Sequence, residues 1–199
     1  DIESNAARLL ISEVTHEPGG KPQFNKINLV RVPLRLGFDV FERGEISKQK
    51  QQMILQTMKA YQHLLSVYET KHLKACATSA MRDAGNSQDI IKKIKSETGI
   101  EISIISGDDE ATYIYDNHIA ENLDKEHSYL YIDVGGGSTE LTFFADGKLK
   151  YKESFNIGTI RLIKGQVDES TWDEMKDHLK TNTKSALPMI AIGSGGNIN

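Results

Sequence analysis

Cysteine is all but missing from this sequence. With Cys76 alone, an internal disulfide and a thiolate zinc cluster are both excluded. A lone thiol fits a reducing compartment, and a cytoplasmic protein is expected. The six histidines stand nowhere at zinc-site spacing. No apolar run is long enough to span a bilayer and no charged-then-apolar leader opens the residues given, so neither membrane insertion nor secretion is expected. An excess of positive charge is lacking too. A net charge of −4 argues against broad capture of nucleic acid, and any anionic ligand must be met by local positive charge. What is present, 38% hydrophobic and 26% charged residues in 199, is enough for two small domains or for one with an ample core.

The stretch that organises the chain runs from Tyr129 to Phe144: an apolar run ending in Asp133, then Gly135, Gly136 and Gly137, then the hydroxyls of Ser138 and Thr139 and a second, alternating run. A strand that delivers an acid to a glycine turn leaves a carboxylate at its tip, with bare amides beyond it where no Cβ obstructs a phosphate. The plainer reading is a glycine-rich hairpin in which Asp133 caps the turn.

In chain order, Asp1-Ile2, a polar turn, the run to Val14 and the alternating run Lys26 to Leu36 read as a three-stranded meander, with Pro33 marking an edge or break. Ile54, Met58, Tyr61, Leu65 and Tyr68 recur at helical spacing, which predicts a helix from Ser47, its cap, to about Thr70. A short strand at 73–77 empties into Thr78-Ser-Ala-Met-Arg82, and a helix from about Ser87 closes at Gly99. Strand 100–105 leads to a helix from Ser106 to about Asn122, whose first-turn acids Asp108, Asp109 and Glu110 also suit the helix dipole. The charged stretch 121–127 predicts a boundary between a first domain, 1–124, and a second, 125–199. Asp146-Gly147 predicts a tight turn into a strand over 148–155. Helices over 158–164 and 170–185, the second capped by Ser170 or Thr171, precede a buried strand from Pro188 to Ile192 and a glycine turn ending at Asn197. Both ends read as cut, so a fragment of a longer protein is expected.

The two halves echo each other, each opening with a strand ending in Asp, a turn and a returning strand. At this point the chain resembles the exopolyphosphatase/guanosine pentaphosphate phosphatase family of the actin, hexokinase and sugar-kinase superfamily. The resemblance rests on five ordered motifs: Asp1 to Leu10, Ala77 to Arg82 with Asn86, Ile105 to Ala111, Asp133 to Glu140, and Ile192 to Asn197. It implies an α/β fold of duplicated actin-like, ribonuclease H-like domains. Each would be a mixed five-stranded sheet with helices, and the ligand cleft would lie between them.

The resemblance also implies release of terminal phosphate from inorganic polyphosphate or guanosine pentaphosphate with Mg2+ or Mn2+, no nucleic-acid or membrane partner, and a homodimer as one option. It assigns Glu110 to the water and Arg82 to the phosphate. Ser4, Asn5, Arg8, Gly135, Gly136, Gly137, Ser138, Gly195, Gly196 and Asn197 would hold substrate, and Asp133 and Asp1 the metal. For Arg8 a solvated position fits as well. Lys148, Lys150 and Lys152 share a strand face that could follow a polyanion, although edge lysines more often block aggregation. One departure stands out: the family has glycine at the third position of the first loop and a hydroxyl residue at the sixth, where this chain has Glu3 and Ala6. A carboxylate there opposes a phosphate, so a non-catalytic anion-binding protein stands as the alternative function; a small-acceptor kinase fits the motifs at 78–82 and 106–111 less well.

Overall fold

The computed structural model describes residues 1–16, 19–20, 22–118, 124 and 126–195. The chain opens with the expected meander. Strands β1 (Ala7–Thr15) and β2 (Gln23–Val32) form an antiparallel ribbon in which Ala7 faces Val32 and Arg8 faces Arg31. Ala7, Leu9 and Ile11 point into the core, as the two-residue repeat of a strand requires. The ladder stops before Pro33, which has no N–H to donate.

A short helix that the sequence pattern did not suggest, α1 (Gly37–Arg43), precedes α2 (Lys48–Val67). Ser47 caps α2 by accepting the Lys50 amide at 3.4 Å. Ile54, Leu55, Met58 and Tyr61 are buried along one face of α2, while Tyr68 lies past its end, exposed, with its hydroxyl accepting from Asn28 Nδ2 at 3.0 Å.

Strand β3 (Ala75–Ala77) runs into helix α3 (Ser79–Asp83). Helix α4 (Ser87–Thr98) ends at Gly99, strand β4 (Ile102–Ile104) lies parallel to β3, and helix α5 (Gly107–His118) follows. Ile2 bridges Ala7 on one side, antiparallel, and Ala77 on the other, parallel. The first sheet is therefore five chain passes in the order β2, β1, Ile2, β3, β4.

The second sheet repeats that plan. Strands β5 (Ser128–Val134), β6 (Thr139–Ala145) and β7 (Lys148–Phe155) make an antiparallel meander. Asp146 and Gly147, with φ of 55° and 68°, form the tight turn between the last two strands. Helices α6 (Thr159–Ile163) and α7 (Glu169–Asn182) follow, and β8 (Met189–Ser194) returns to lie parallel to β5, as β3 does to Ile2. Among the described residues this sheet has four strands, in the order β7-β6-β5-β8, one fewer than expected. Two local readings need correction. Asp168, not Ser170 or Thr171, occupies the N-cap position of α7. Strand β8 is mostly exposed: among the described residues β5 pairs with only one of its edges, and of its side chains only Ile192 is half-buried, against Tyr129 and Phe144.

Helix α6 ties the two sheets together. Ile160 is 4% exposed and belongs to the apolar cluster under the first sheet, packed near Gly37 and Phe41. Burying an isoleucine contributes about 1.5–3 kcal/mol. Arg161 lies over the Phe41 ring at 4.1 Å and pairs with Asp83, and Lys164 pairs with Glu42. On the other flank, Lys152 of β7 donates to the Asp108 carbonyl at 3.1 Å and to the Thr112 hydroxyl. Among the described residues no helix is long and apolar enough to cross a membrane.

Candidate active site

Between the two sheets lies a cavity of about 590 Å³, and its chemistry is set by strand ends and helix starts. Helix α5 begins directly after β4, so its first turn sits at the tip of the first sheet. Ser106 caps it: its hydroxyl accepts the Asp109 amide at 3.0 Å and donates to Asp109 Oδ2 at 2.7 Å. Asp109 is thereby spent on the cap and is held below the usual carboxylate range by those Ser106 hydrogen bonds. Glu110, one residue on and so turned about a quarter of the way round the helix, faces the cavity. Its Oε2 is out of contact with solvent and has no hydrogen-bond partner. Burial and the nearby Glu140 push its carboxyl up to about 8, although Arg82 opposes the shift.

From the second sheet, Asp133 at the end of β5 stands directly opposite Glu140 on β6. Glu140 is 4% exposed; its Oε1 accepts from Ser154 Oγ at 2.9 Å, and its carboxyl is raised by burial despite hydrogen bonds from Ser138 and Ser154. The glycine loop is held from both sides. Gly135 donates its amide to the Ser138 carbonyl at 2.9 Å, so that amide is not open to a phosphate. The carbonyls of Gly135 and Gly136 accept the amides of Thr159 and Ile160 at 3.1 and 2.8 Å, and that of Gly137 accepts Arg161 Nε at 2.7 Å. Only glycine fits at 137, where a Cβ would run into Ser79 Oγ and come within 2.8 Å of Ser4 Oγ and Phe41. Those two serines are buried and bonded to each other at 2.6 Å, which fixes the first loop against the start of α3, where both crowd Gly137.

Of the sequence-predicted residues, Ser4, Asn5, Arg8, Glu110, Asp133, Gly135, Gly136, Gly137, Ser138 and Gly195 all line this one cavity. Two are placed differently. Arg82 does not line it. Its Nη1 donates to the Ile105 carbonyl at 2.7 Å, and from behind the wall its charge acts on Glu110 and Glu140. Asp1 is exposed and off the cavity, because the Arg8 amide ties its carbonyl into the ribbon at 2.8 Å. Gly196 and Asn197 lie outside the described residues.

Several lining groups were missed: Glu140, Arg31, Thr78, Ser79 and Thr159. The signal for Glu140 was present, since an acid in a strand buried along its whole length is costly unless used. Arg31 is visible only through the ribbon register. Glu3 turns into the cavity rather than away from it and pairs with Arg8 Nη1 at 2.7 Å. Burial raises its carboxyl and Asp133 adds to that, while Arg8 opposes.

The donor set facing the cavity is all oxygen: Glu3, Glu110, Asp133 and Glu140 with several hydroxyls. Among the described residues no three acids converge tightly enough to cage a metal. Hard oxygen donors of this kind fit the chemistry of Mg2+, which takes one or two carboxylates and fills its shell with water and substrate phosphate. The partnerless Glu110 oxygen and the Asp133–Glu140 pair leave oxygen donors for such an ion or its waters.

Residues 14–186 match the model of the Ppx/GppA phosphatase family. The chain is 33% identical over 92% of its length to a bifunctional 3-dehydroquinate synthase/phosphatase of Fusobacterium nucleatum, covering 29% of that protein. It is 29% identical over 82% of its length to exopolyphosphatase 1 of Mycobacterium tuberculosis, covering 46% of it. The chain thus spans less than half of either relative. The crystal structure of an exopolyphosphatase from Cytophaga hutchinsonii superposes on 96% of the chain with a TM-score of 0.82 at 25% identity, 64% of that chain being covered. The fold alone is shared with a PilM–PilN type IV pilus biogenesis complex, at a TM-score of 0.54 and 12% identity.

Proposed function

The chain belongs to the Ppx/GppA phosphatase family, and from that premise we propose that the protein hydrolyses a terminal phosphoanhydride bond, releasing orthophosphate from inorganic polyphosphate or guanosine pentaphosphate. The observation that carries this reading is Glu110. A buried carboxyl raised to about 8, facing a cavity walled by a glycine loop and hydroxyls, is a base poised near neutral pH.

Glu110 orients a water toward the terminal phosphorus and takes its proton as the P–O bond forms. The bridging P–O bond breaks in line, and the shortened chain leaves with the electron pair. The Thr78 hydroxyl meets the phosphoryl oxygens from the cavity wall, while the hydroxyl proton of Ser138 is already given to Glu140 and the pair formed by Ser4 and Ser79 is closed on itself. Arg82, held by the Ile105 carbonyl, offsets the negative charge of Glu110 and Glu140 as the reaction proceeds. Asp133 and Glu140 are the residues that would hold Mg2+, and the ion, when bound, neutralises charge on the phosphoryl oxygens.

The test is orthophosphate release from both substrates with Mg2+, comparing the wild type with Glu110→Gln. The substitution should lower kcat by at least roughly a hundredfold, as loss of a general base does. A wild type that binds either substrate yet releases nothing would favour the non-catalytic binder, the reading supported by the Glu3 carboxylate in the cavity.

A further inference from the structure

We propose that Glu3 is a specificity-determining residue, a built-in anion whose carboxylate occupies Arg8 and must be displaced by the distal phosphates of a long phosphate chain. This rests on the cavity being a phosphoanhydride site.

Three observations and the chemistry of guanidinium groups point to it. Glu3 lines the cavity and its Oε1 lies 2.7 Å from Arg8 Nη1. Arg8 and Arg31 are direct partners across the ribbon and both line the cavity, so two guanidinium groups share one rim and the carboxylate sits on one of them. A guanidinium grips a phosphate with two donors at once, and a carboxylate already in place competes for the same donors. Finally, the backbone around Glu3 is fixed: its amide donates to the Ala6 carbonyl at 2.9 Å, Ala6 is wholly buried, and Ser4 is bonded to Ser79. Only the side chain can move aside, and Asp133 repels it on the cavity side.

A chain long enough to reach the ribbon must exchange its own oxygen atoms for the Glu3 carboxylate on Arg8. The wild type therefore gains little from each added phosphate at this rim, and its preference between short and long chains is set by one residue.

The experiment measures affinity by calorimetry and KM by orthophosphate release, with Mg2+, for pyrophosphate and for long-chain inorganic polyphosphate. Calorimetry is done in a Glu110→Gln background so that no turnover intrudes. Glu3→Ala should tighten long-chain binding and lower its KM by about tenfold, the equivalent of about 1.4 kcal/mol, while pyrophosphate changes less than about twofold. Glu3→Gln, which keeps the shape and drops the charge, should reproduce most of the gain. Adding Arg8→Gln to Glu3→Ala should erase the gain, whereas a loss of packing would persist. Unchanged or weaker long-chain binding in Glu3→Ala, no binding by any variant, or a gain that survives Arg8→Gln would overturn the proposal. Tight binding without phosphate release by the wild type would sink the hydrolase reading and leave the Glu3 result standing.

Discussion

Glu110→Gln should make the protein more stable at alkaline pH while destroying its chemistry. In the unfolded chain the carboxyl loses its proton near 4.5, whereas in the fold it does so only near 8. Below pH 4.5 both states are protonated and the group costs nothing. As the pH rises from 4.5 to 8 the unfolded state sheds a proton that the folded state retains, so stability falls until both are ionised. At about 1.4 kcal/mol for each tenfold change in proton affinity, the full penalty is about 4–5 kcal/mol, or about 3 kcal/mol once discounted for the part of the side chain that solvent reaches. Glutamine has no charge to bury. For a chain of this size about 3 kcal/mol corresponds to roughly 6–12 °C in Tm. Thermal unfolding with a chelator present, at pH 5 and at pH 8.5, reads the effect directly. The variant should melt near the wild type at pH 5 and well above it at pH 8.5. An equal difference at both pH values, or a less stable variant at pH 8.5, would refute the assignment of Glu110 as a buried acid strained by its surroundings.

Chelation of divalent ions should stop phosphate release by the wild type, and added Mg2+ should restore it, as followed by orthophosphate assay. Gly137→Ala should destabilise by about 1–3 kcal/mol in denaturant unfolding, since the new methyl meets Ser79, Ser4 and Phe41 at once. Phe143→Ala, at a side chain with no exposure beneath the second sheet, should cost about 3–5 kcal/mol in the same assay. Ser106→Ala removes the α5 cap and should cost about 1 kcal/mol; because Glu110 follows that cap, its kcat should fall with it.

Much of the fold was legible because the signals were local. The apolar run that ends in Asp133 and the glycines after it, the Asp146-Gly147 turn and the spacing of Ile54, Met58 and Tyr61 each fix an element through neighbours only a few residues away. The cavity was legible where a motif sits at a strand tip or helix start, which is why Glu110 and Asp133 share it. What local signals leave out is long-range geometry. The residue after β4 offers Arg82 a carbonyl, and no local pattern encodes that meeting. Arg31 carries no motif and reaches the cavity only because the ribbon places it opposite Arg8. Short α1 has too few residues to show a period, and the exposure of β8 follows from what surrounds it rather than from its apolar residues.

The grip of α6 on the glycine loop constrains how the protein can breathe. The carbonyls of Gly135, Gly136 and Gly137 are anchored to Thr159, Ile160 and Arg161, and Ile160 and Arg161 are themselves seated against Phe41 and Asp83. These bonds tie the loop to the first half of the chain. If the protein releases orthophosphate as proposed, a rocking of one sheet against the other that loosens the Arg161 and Lys164 bridges together would free it, and the tempo of turnover would be written in residues that never meet the substrate.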